Sequence, residues 1–165
     1  MSDPTLTPED LERYMQAYGI SGNLLRLEAP TPTVETAAQA VGTDSGEIVK
    51  SILFLVGDEP VLAITCGPDH VDRRSLAGLY GVGRKKVKLA EPERVLRETG
   101  YPVGGMPPFG HRKALPTLLD RRVLDKKTVF AGGGSDRTLI RISPDEILRA
   151  AGAKVIDLLV SQDTN

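Results

Sequence analysis

The chain has one cysteine, no tryptophan, two histidines and 4% aromatic residues, and each shortage removes a class of chemistry. A single thiol, Cys66, excludes an intramolecular disulfide and any cysteine-rich zinc site, and it suits a reducing compartment. His70 and His111 alone leave metal chemistry poorly supplied, so neither a metal nor a cofactor is expected. No run approaches the roughly 20 apolar residues of a membrane-spanning helix. The opening MSDPTLTPED is acidic where a signal peptide is basic, so the expected location is the cytoplasm, with no membrane partner. Charge is also balanced: 21 Lys and Arg against 22 Asp and Glu give a net charge of −1. That argues against a broad basic face for DNA and leaves room for a local basic groove. The familiar catalytic signatures G-x-S-x-G, H-E-x-x-H and C-x-x-C are missing as well. Gly78 to Lys86, GLYGVGRKK, approaches P-loop spacing. Arg84 stands where the lysine belongs and Lys85 where the magnesium-binding hydroxyl belongs, so the segment gives no support to an NTPase.

What is present reads as one domain over residues 1–165, with 40% hydrophobic and 26% charged residues. Thr7, Pro8 and Asp10 open a helix running to Gly19, with Leu11, Tyr14, Met15 and Tyr18 on one apolar stripe. A short strand spans Asn23 to Glu28, and Thr33 caps an Ala-rich helix ending near Gly42; Ser45 is placed to cap a further turn. ILFLV and VLAIT, separated by GDEP, predict a hairpin from Val49 to Cys66 that is covered on both faces. Further helices are expected over Val71 to Tyr80, Glu91 to Thr99 and Ser143 to Ala151. Strands are expected near Lys86 to Leu89, Leu115 to Leu119, Thr128 to Ala131 and Thr138 to Ile142, with a last strand or tail over Lys154 to Val160. The sum is a mixed α+β domain of six or seven strands and short helices.

Five features carry possible chemistry, each with an ordinary structural reading beside it. Lys50, in VKSILF, opens an apolar strand and must either reach out to solvent or point into a cleft. Ser51 points to the opposite face of a regular strand, so the two share a site only if the pleat is disturbed. The loop YPVGGMPPFGH is either a structural Ω-type loop or a rigid cradle whose amides hold a phosphate or oxyanion. Gly132, Gly133 and Gly134 imply close approach by a ligand or by another element. Arg84, Lys85, Lys86 and Lys88 are either a solvated strand edge or a phosphate contact. Cys66 reads as a buried inert thiol, His70 as exposed, and His111 as a hydrogen-bonded loop histidine or a site residue.

VKSILF, TGYPVGGMPPFGHRKALPTLLD and VFAGGGSDRTLIRISPDEIL, in that order, resemble the YbaK/EbsC family from about Pro30 to Leu158. Its members are aminoacyl-tRNA deacylases, free-standing or fused to prolyl-tRNA synthetase. The resemblance implies a partly barrel-like mixed sheet surrounded by short helices, with the deacylase core over about residues 20–160. It implies that Lys50 holds the substrate near its terminal adenosine phosphate and ester. Gly104 to Pro108 would match the family's G-x-x-x-P loop, with Gly104 and Gly105 as oxyanion amides. Thr33, Ser51, Met106, Pro107, Pro108, Phe109, Gly110, His111 and Gly132 to Gly134 would shape the substrate pocket. Gly132 stands where some relatives carry a hydroxyl or imidazole. Arg84, Lys85, Lys86, Lys88, Arg112 and Lys113 are candidate tRNA contacts. The implied partners are an aminoacylated tRNA 3′ end and prolyl-tRNA synthetase. The implied reaction is hydrolysis of a mischarged ester carrying Cys, Ala, Ser or Thr, by water assisted by the substrate itself. The same lysine and loop would also serve a regulatory module that binds aminoacyl-tRNA or a nucleotide without turnover.

Overall fold

The computed structural model describes residues 4–159. Helix α1, Pro8–Ala17, starts at Thr7, whose hydroxyl accepts from the Asp10 amide while the Asp10 carboxylate accepts from the Thr7 amide, a complete capping box. Strand β1, Gly22–Arg26, leads to α2, Val34–Val41, which Thr33 caps in the same reciprocal way and Gly42 closes. The turn expected after it is a single 3₁₀ turn, Ser45–Glu47, with Asp44 rather than Ser45 at its cap position. Strands β2, Val49–Val56, and β3, Glu59–Cys66, form the expected hairpin in unbroken register.

Helix α3, Arg73–Tyr80, strand β4, Val87–Leu89, and helix α4, Pro92–Thr99, follow. After the Gly-Pro loop come β5, Thr117–Asp120, β6, Val129–Ser135, β7, Thr138–Ile142, α5, Pro144–Ala151, and β8, Lys154–Ile156. The segment left open as strand or tail therefore forms a strand; Val160, its expected end, lies outside the described residues.

The strands build two sheets, of order β4-β2-β3-β5-β8 and β1-β7-β6. Pairing is antiparallel except β3 with β5 and β5 with β8. The sheets remain separate, joined by a parallel bridge from Ile48 to Phe130, and no closed barrel forms among the described residues.

Layering follows from side-chain alternation. Val49 and Leu53 of β2, with Leu62 and Ile64 of β3, enter the main core, together with Ala131 and Ile140 of the second sheet, Leu11 of α1 and Ile147 of α5. Phe54, Val56, Val61 and Ala63 face the other way, where Leu76 and Ala77 of α3 cover them. Helix α2 lays Ala37 and Ala38 against Ile48, Phe130 and Leu139. The hairpin is thus central and buried on both faces, as its continuous apolar character requires.

Candidate active site

A cavity of about 450 Å³ opens where β4 stops short. Strand β4 pairs only with Phe54 to Val56 of β2, and the Ala90 amide extends the pairing by one bond to the Leu53 carbonyl, 3.0 Å. Beyond that point the edge of β2 from Val49 to Ile52 borders open space. Thr31, Thr33, Val34 and Ala37 close one side, Ala90 and Val95 another, and Val103, Gly104, Met106, Gly132 and Leu139 the rest.

This edge position explains why Lys50 and Ser51 both line the cavity. The expectation that the pleat must be disturbed is not met: β2 pairs with β3 residue for residue throughout. The cavity meets the strand side-on, so side chains from both faces reach it.

The Lys50 Nζ donates to the Asp69 carbonyl at 3.1 Å. Burial pushes its ammonium below the usual lysine range, against the opposing pull of Asp69, Cys66 and Glu35. The Ser51 Oγ is buried with no hydrogen-bond partner, and such an atom calls for a ligand or a water. Among the described residues lining the cavity, Lys50 is the one titratable side chain. Cys66 is buried, and burial pushes its thiol up, which keeps it protonated and inert.

The Gly-Pro loop is held at three levels. At its base the Arg112 amide donates to the Thr99 carbonyl, 2.8 Å, so the two ends meet as in an Ω-type loop. In the middle the Gly134 amide donates to the Gly105 carbonyl, 2.7 Å. Near its end the His111 Nε2 donates to the Pro107 carbonyl, 2.7 Å, and burial lowers the imidazole's pKa, so the ring is held neutral. Phe109 is buried in the main core and stacks on Tyr14 of α1 at 6.2 Å.

Residues Pro102 to Gly105 form a turn in which the Gly105 amide donates to the Pro102 carbonyl, 3.2 Å, and Gly104 takes φ +95°. That is the third position of a type II turn, which requires glycine. The Gly105 amide is therefore occupied, whereas the amides of Val103, Gly104 and Met106, the loop residues at the cavity wall, have no protein acceptor among the described residues.

Of the three glycines on β6, Gly132 reaches the cavity wall, while Gly133 and Gly134 are buried and do not line it. Their small size admits protein: a Cβ on Gly132 would run into the Met106 carbonyl, and one on Gly105 would lie 2.6 Å from the Ser135 Cα. Pro107 and Pro108 are buried outside the cavity lining, and Gly110 and His111 also lie outside it. The Thr33 hydroxyl borders the cavity but is engaged in the α2 cap.

Of the basic candidates, Arg84, Lys85 and Lys86 form one exposed 3₁₀ turn leading into β4, where Lys88 is also exposed. Arg112 is turned to the Leu96 and Pro4 carbonyls, and Lys113 pairs with the Glu98 carboxylate at 3.3 Å, so both brace α4. Sequence reasoning missed the α2 wall, Val34 and Ala37, and Leu139. The available signal was the run of small residues in VETAAQAV, which leaves space where a helix faces the core.

One desolvated ammonium, an orphan hydroxyl and unpaired amides around a half-open cleft in an α+β domain define a class: a protein that receives an ester or phosphate without a side-chain nucleophile. The chain belongs to the aminoacyl-tRNA editing domain family, whose sequence profile matches residues 28–150. It is 30% identical over 148 residues, 89% of this chain and 92% of the other, to "Uncharacterized protein YwhH" of Bacillus subtilis. It is 27% identical over 132 residues, 79% of each chain, to "Putative Cys-tRNA(Pro)/Cys-tRNA(Cys) deacylase EbsC" of Enterococcus faecalis. A crystal structure described as that of "a putative trans-editing enzyme for prolyl tRNA synthetase" superposes with a TM-score of 0.87 at 34% identity, covering 98% of this chain and 100% of that one. The chain is an aminoacyl-tRNA deacylase of the YbaK/EbsC type, and its substrate class is aminoacylated tRNA.

Proposed function

We propose that the protein edits in trans, hydrolysing a mischarged tRNA of the tRNA-Pro type that carries a small amino acid, with Cys, Ala, Ser and Thr as the candidates. The observation that carries the mechanism is the cavity lining: Lys50 is its one titratable side chain among the described residues, so no carboxylate, imidazole or thiol stands ready as a general base. The attacking water is instead deprotonated by the substrate, through the ribose hydroxyl beside the ester. Its oxygen adds to the ester carbonyl, and the resulting oxyanion is met by the Gly104 amide. The tetrahedral intermediate collapses with cleavage of the bond to the ribose oxygen, which takes up the proton. Free amino acid and uncharged tRNA leave.

In this reading Lys50 holds the terminal phosphate and Ser51 satisfies its orphan hydroxyl on the substrate. Met106 and Gly132 border the aminoacyl group, while Gly105, Pro107 to Gly110 and His111 hold the loop in place. Gly133 and Gly134 seat that loop on the sheet. Val34, Ala37, Ile48 and Leu139 form the apolar wall that limits side-chain size. A wall of this kind distinguishes side chains differing by a methylene only about 10 to 200-fold, which suits a second sieve acting after a synthetase. The naming of the Enterococcus relative as a Cys-tRNA(Pro)/Cys-tRNA(Cys) deacylase, and of the superposed structure as a trans-editing enzyme for prolyl-tRNA synthetase, supports the tRNA-Pro assignment and prolyl-tRNA synthetase as the upstream enzyme.

The test is deacylation of Cys-, Ala-, Ser- and Thr-tRNA by the wild type and by Lys50→Ala. Selective hydrolysis of one member, lost in the variant, is expected. Hydrolysis of all four at equal rates, or none despite measurable tRNA binding, would overturn the substrate assignment.

A further inference from the structure

A second cleft, of about 390 Å³, is lined by His70, Val71, Asp72, Arg73, Arg74 and Arg84. Three guanidinium groups share it with a single carboxylate, and that carboxylate is engaged: Asp72 caps α3 by accepting from the Arg74 amide and pairs with the Arg74 Nε at 3.2 Å. The Arg73 guanidinium lies over the Phe54 ring, 5.9 Å from its centroid, a cation–π contact that holds it against the sheet. Arg84 opens the exposed turn before β4 and makes no ion pair among the described residues. The cleft is therefore a concentration of positive charge in a chain whose overall charge is close to zero.

Its position relative to the active site gives that charge a direction. Lys50 and Phe54 lie four residues apart on the same face of β2, about 13 Å along the strand at 3.3 Å per residue. Arg73 covers Phe54 at one end of this track. At the other, the Lys50 ammonium is held by the Asp69 carbonyl, and the next residue, His70, lines the second cleft.

Resting on the editing function proposed above, we infer that this arginine cleft binds the backbone phosphates of the unpaired nucleotides that precede the terminal adenosine, carrying the tRNA end from α3 into the Lys50 cavity. The cleft has charge with little stacking surface: Val71 is the one apolar side chain in its lining, and the exposed His70 imidazole is the one ring there. Such a site binds phosphates independently of base identity. Selection then rests on the aminoacyl cavity, while the cleft supplies affinity.

The test uses the full chain with Arg73→Gln/Arg84→Gln, which leaves the Arg74–Asp72 cap in place, and Arg84→Gln alone, which alters only an exposed turn. A control pair, Arg13→Gln/Arg149→Gln, removes the same charge from α1 and α5, whose apolar faces enter the main core on the side of the five-stranded sheet away from α3. Three measurements are made: the Kd for uncharged tRNA across a salt series, the steady-state kinetics (KM and kcat) with mischarged tRNA, and hydrolysis of 3′-aminoacyl adenosine, which lacks these phosphates. The double variant is expected to weaken tRNA binding and raise KM by about tenfold, with the salt slope falling by roughly 0.7 per lost phosphate contact. Its kcat and its hydrolysis of aminoacyl adenosine stay at wild-type values, and Arg84→Gln gives a smaller change of the same kind.

Wild-type Kd and slope in the double variant, an equal loss in the control pair, or no tRNA binding by the wild type would overturn the inference. If the wild type hydrolyses neither substrate, the editing reading falls, and the Kd and slopes for uncharged tRNA still decide the cleft.

Discussion

At Lys50 two demands oppose each other. An ammonium withdrawn from water costs stability, and here burial already pulls its pKa down; yet only a desolvated cation interacts strongly with a phosphate or ester beside it. The compromise is the single bond to the Asp69 carbonyl, which fixes the group while leaving its other donor positions for a ligand. Gly104 embodies a similar compromise in the backbone. Its φ of +95° is closed to side chains, although a Cβ there would meet nothing within 4 Å, so Gly104→Ala introduces backbone strain without a clash. The turn relieves that strain by rotating its free amide away from the cavity. Losing one oxyanion donor is worth about 3 kcal/mol, or roughly 100-fold. Single-turnover hydrolysis should fall by that order while tRNA affinity, measured on uncharged tRNA, shifts by less than about threefold; equal losses in both would remove the oxyanion role. Lys50 and Gly104 were both legible in the sequence, as a cation opening an apolar strand and a glycine in a rigid loop. The occupied amide of Gly105 was not, because only the three-dimensional turn reveals that Pro102 accepts from it.

Among the elements, helices were legible where caps are chemical. Thr7 with Asp10, Thr33 before the Ala-rich stretch, and Ser143 with Glu146 each mark a start that the structure places at the same residue. Sheet partnership was hidden, since nothing in TLLD announces that β5 pairs in parallel with β3 and β8. The run Gly132 to Gly134 stated that something approaches closely, without saying what. The answer at Gly132 is the Met106 carbonyl of the Gly-Pro loop. Arg73 and Arg74 drew no notice because two arginines opening a helix read as solvated surface until the cleft beside them is seen. The contact between β6 and the loop can be tested directly. Gly132→Ala drives a methyl into backbone and should cost about 1–3 kcal/mol, which for a chain of 165 residues lowers Tm by roughly 2–4 °C per kcal/mol. Activity should fall with it, as the loop is displaced from the cavity. An unchanged Tm would mean that the loop is not held where it is described.

For the molecule as a whole, protons connect the loop to global stability. His111 has a folded-state pKa below its ordinary value of about 6.5, so the unfolded chain binds the proton first. Its contribution is therefore complete above about pH 6.5 and is lost as pH falls below that value. Asp10 and Asp72, each hydrogen-bonded in a helix cap and lowered from the usual carboxylate range, contribute above about pH 4 and lose that contribution only in stronger acid. Denaturant titrations should thus show a first decline in unfolding free energy between about pH 7 and 5, absent in His111→Gln, which keeps a donor for the Pro107 carbonyl but does not titrate. A decline of equal size in the variant would assign it to other groups. The same histidine bond, with the clasp to Gly134 and the tie between Thr99 and Arg112, pins the loop at its base, its middle and its end. The doorway to the reaction chamber is consequently a fixed frame. On the proposed reading such an opening admits water alongside the guest, and the site hastens what bulk solvent would do slowly. On that reading, protection of correctly charged tRNA comes from what fails to fit.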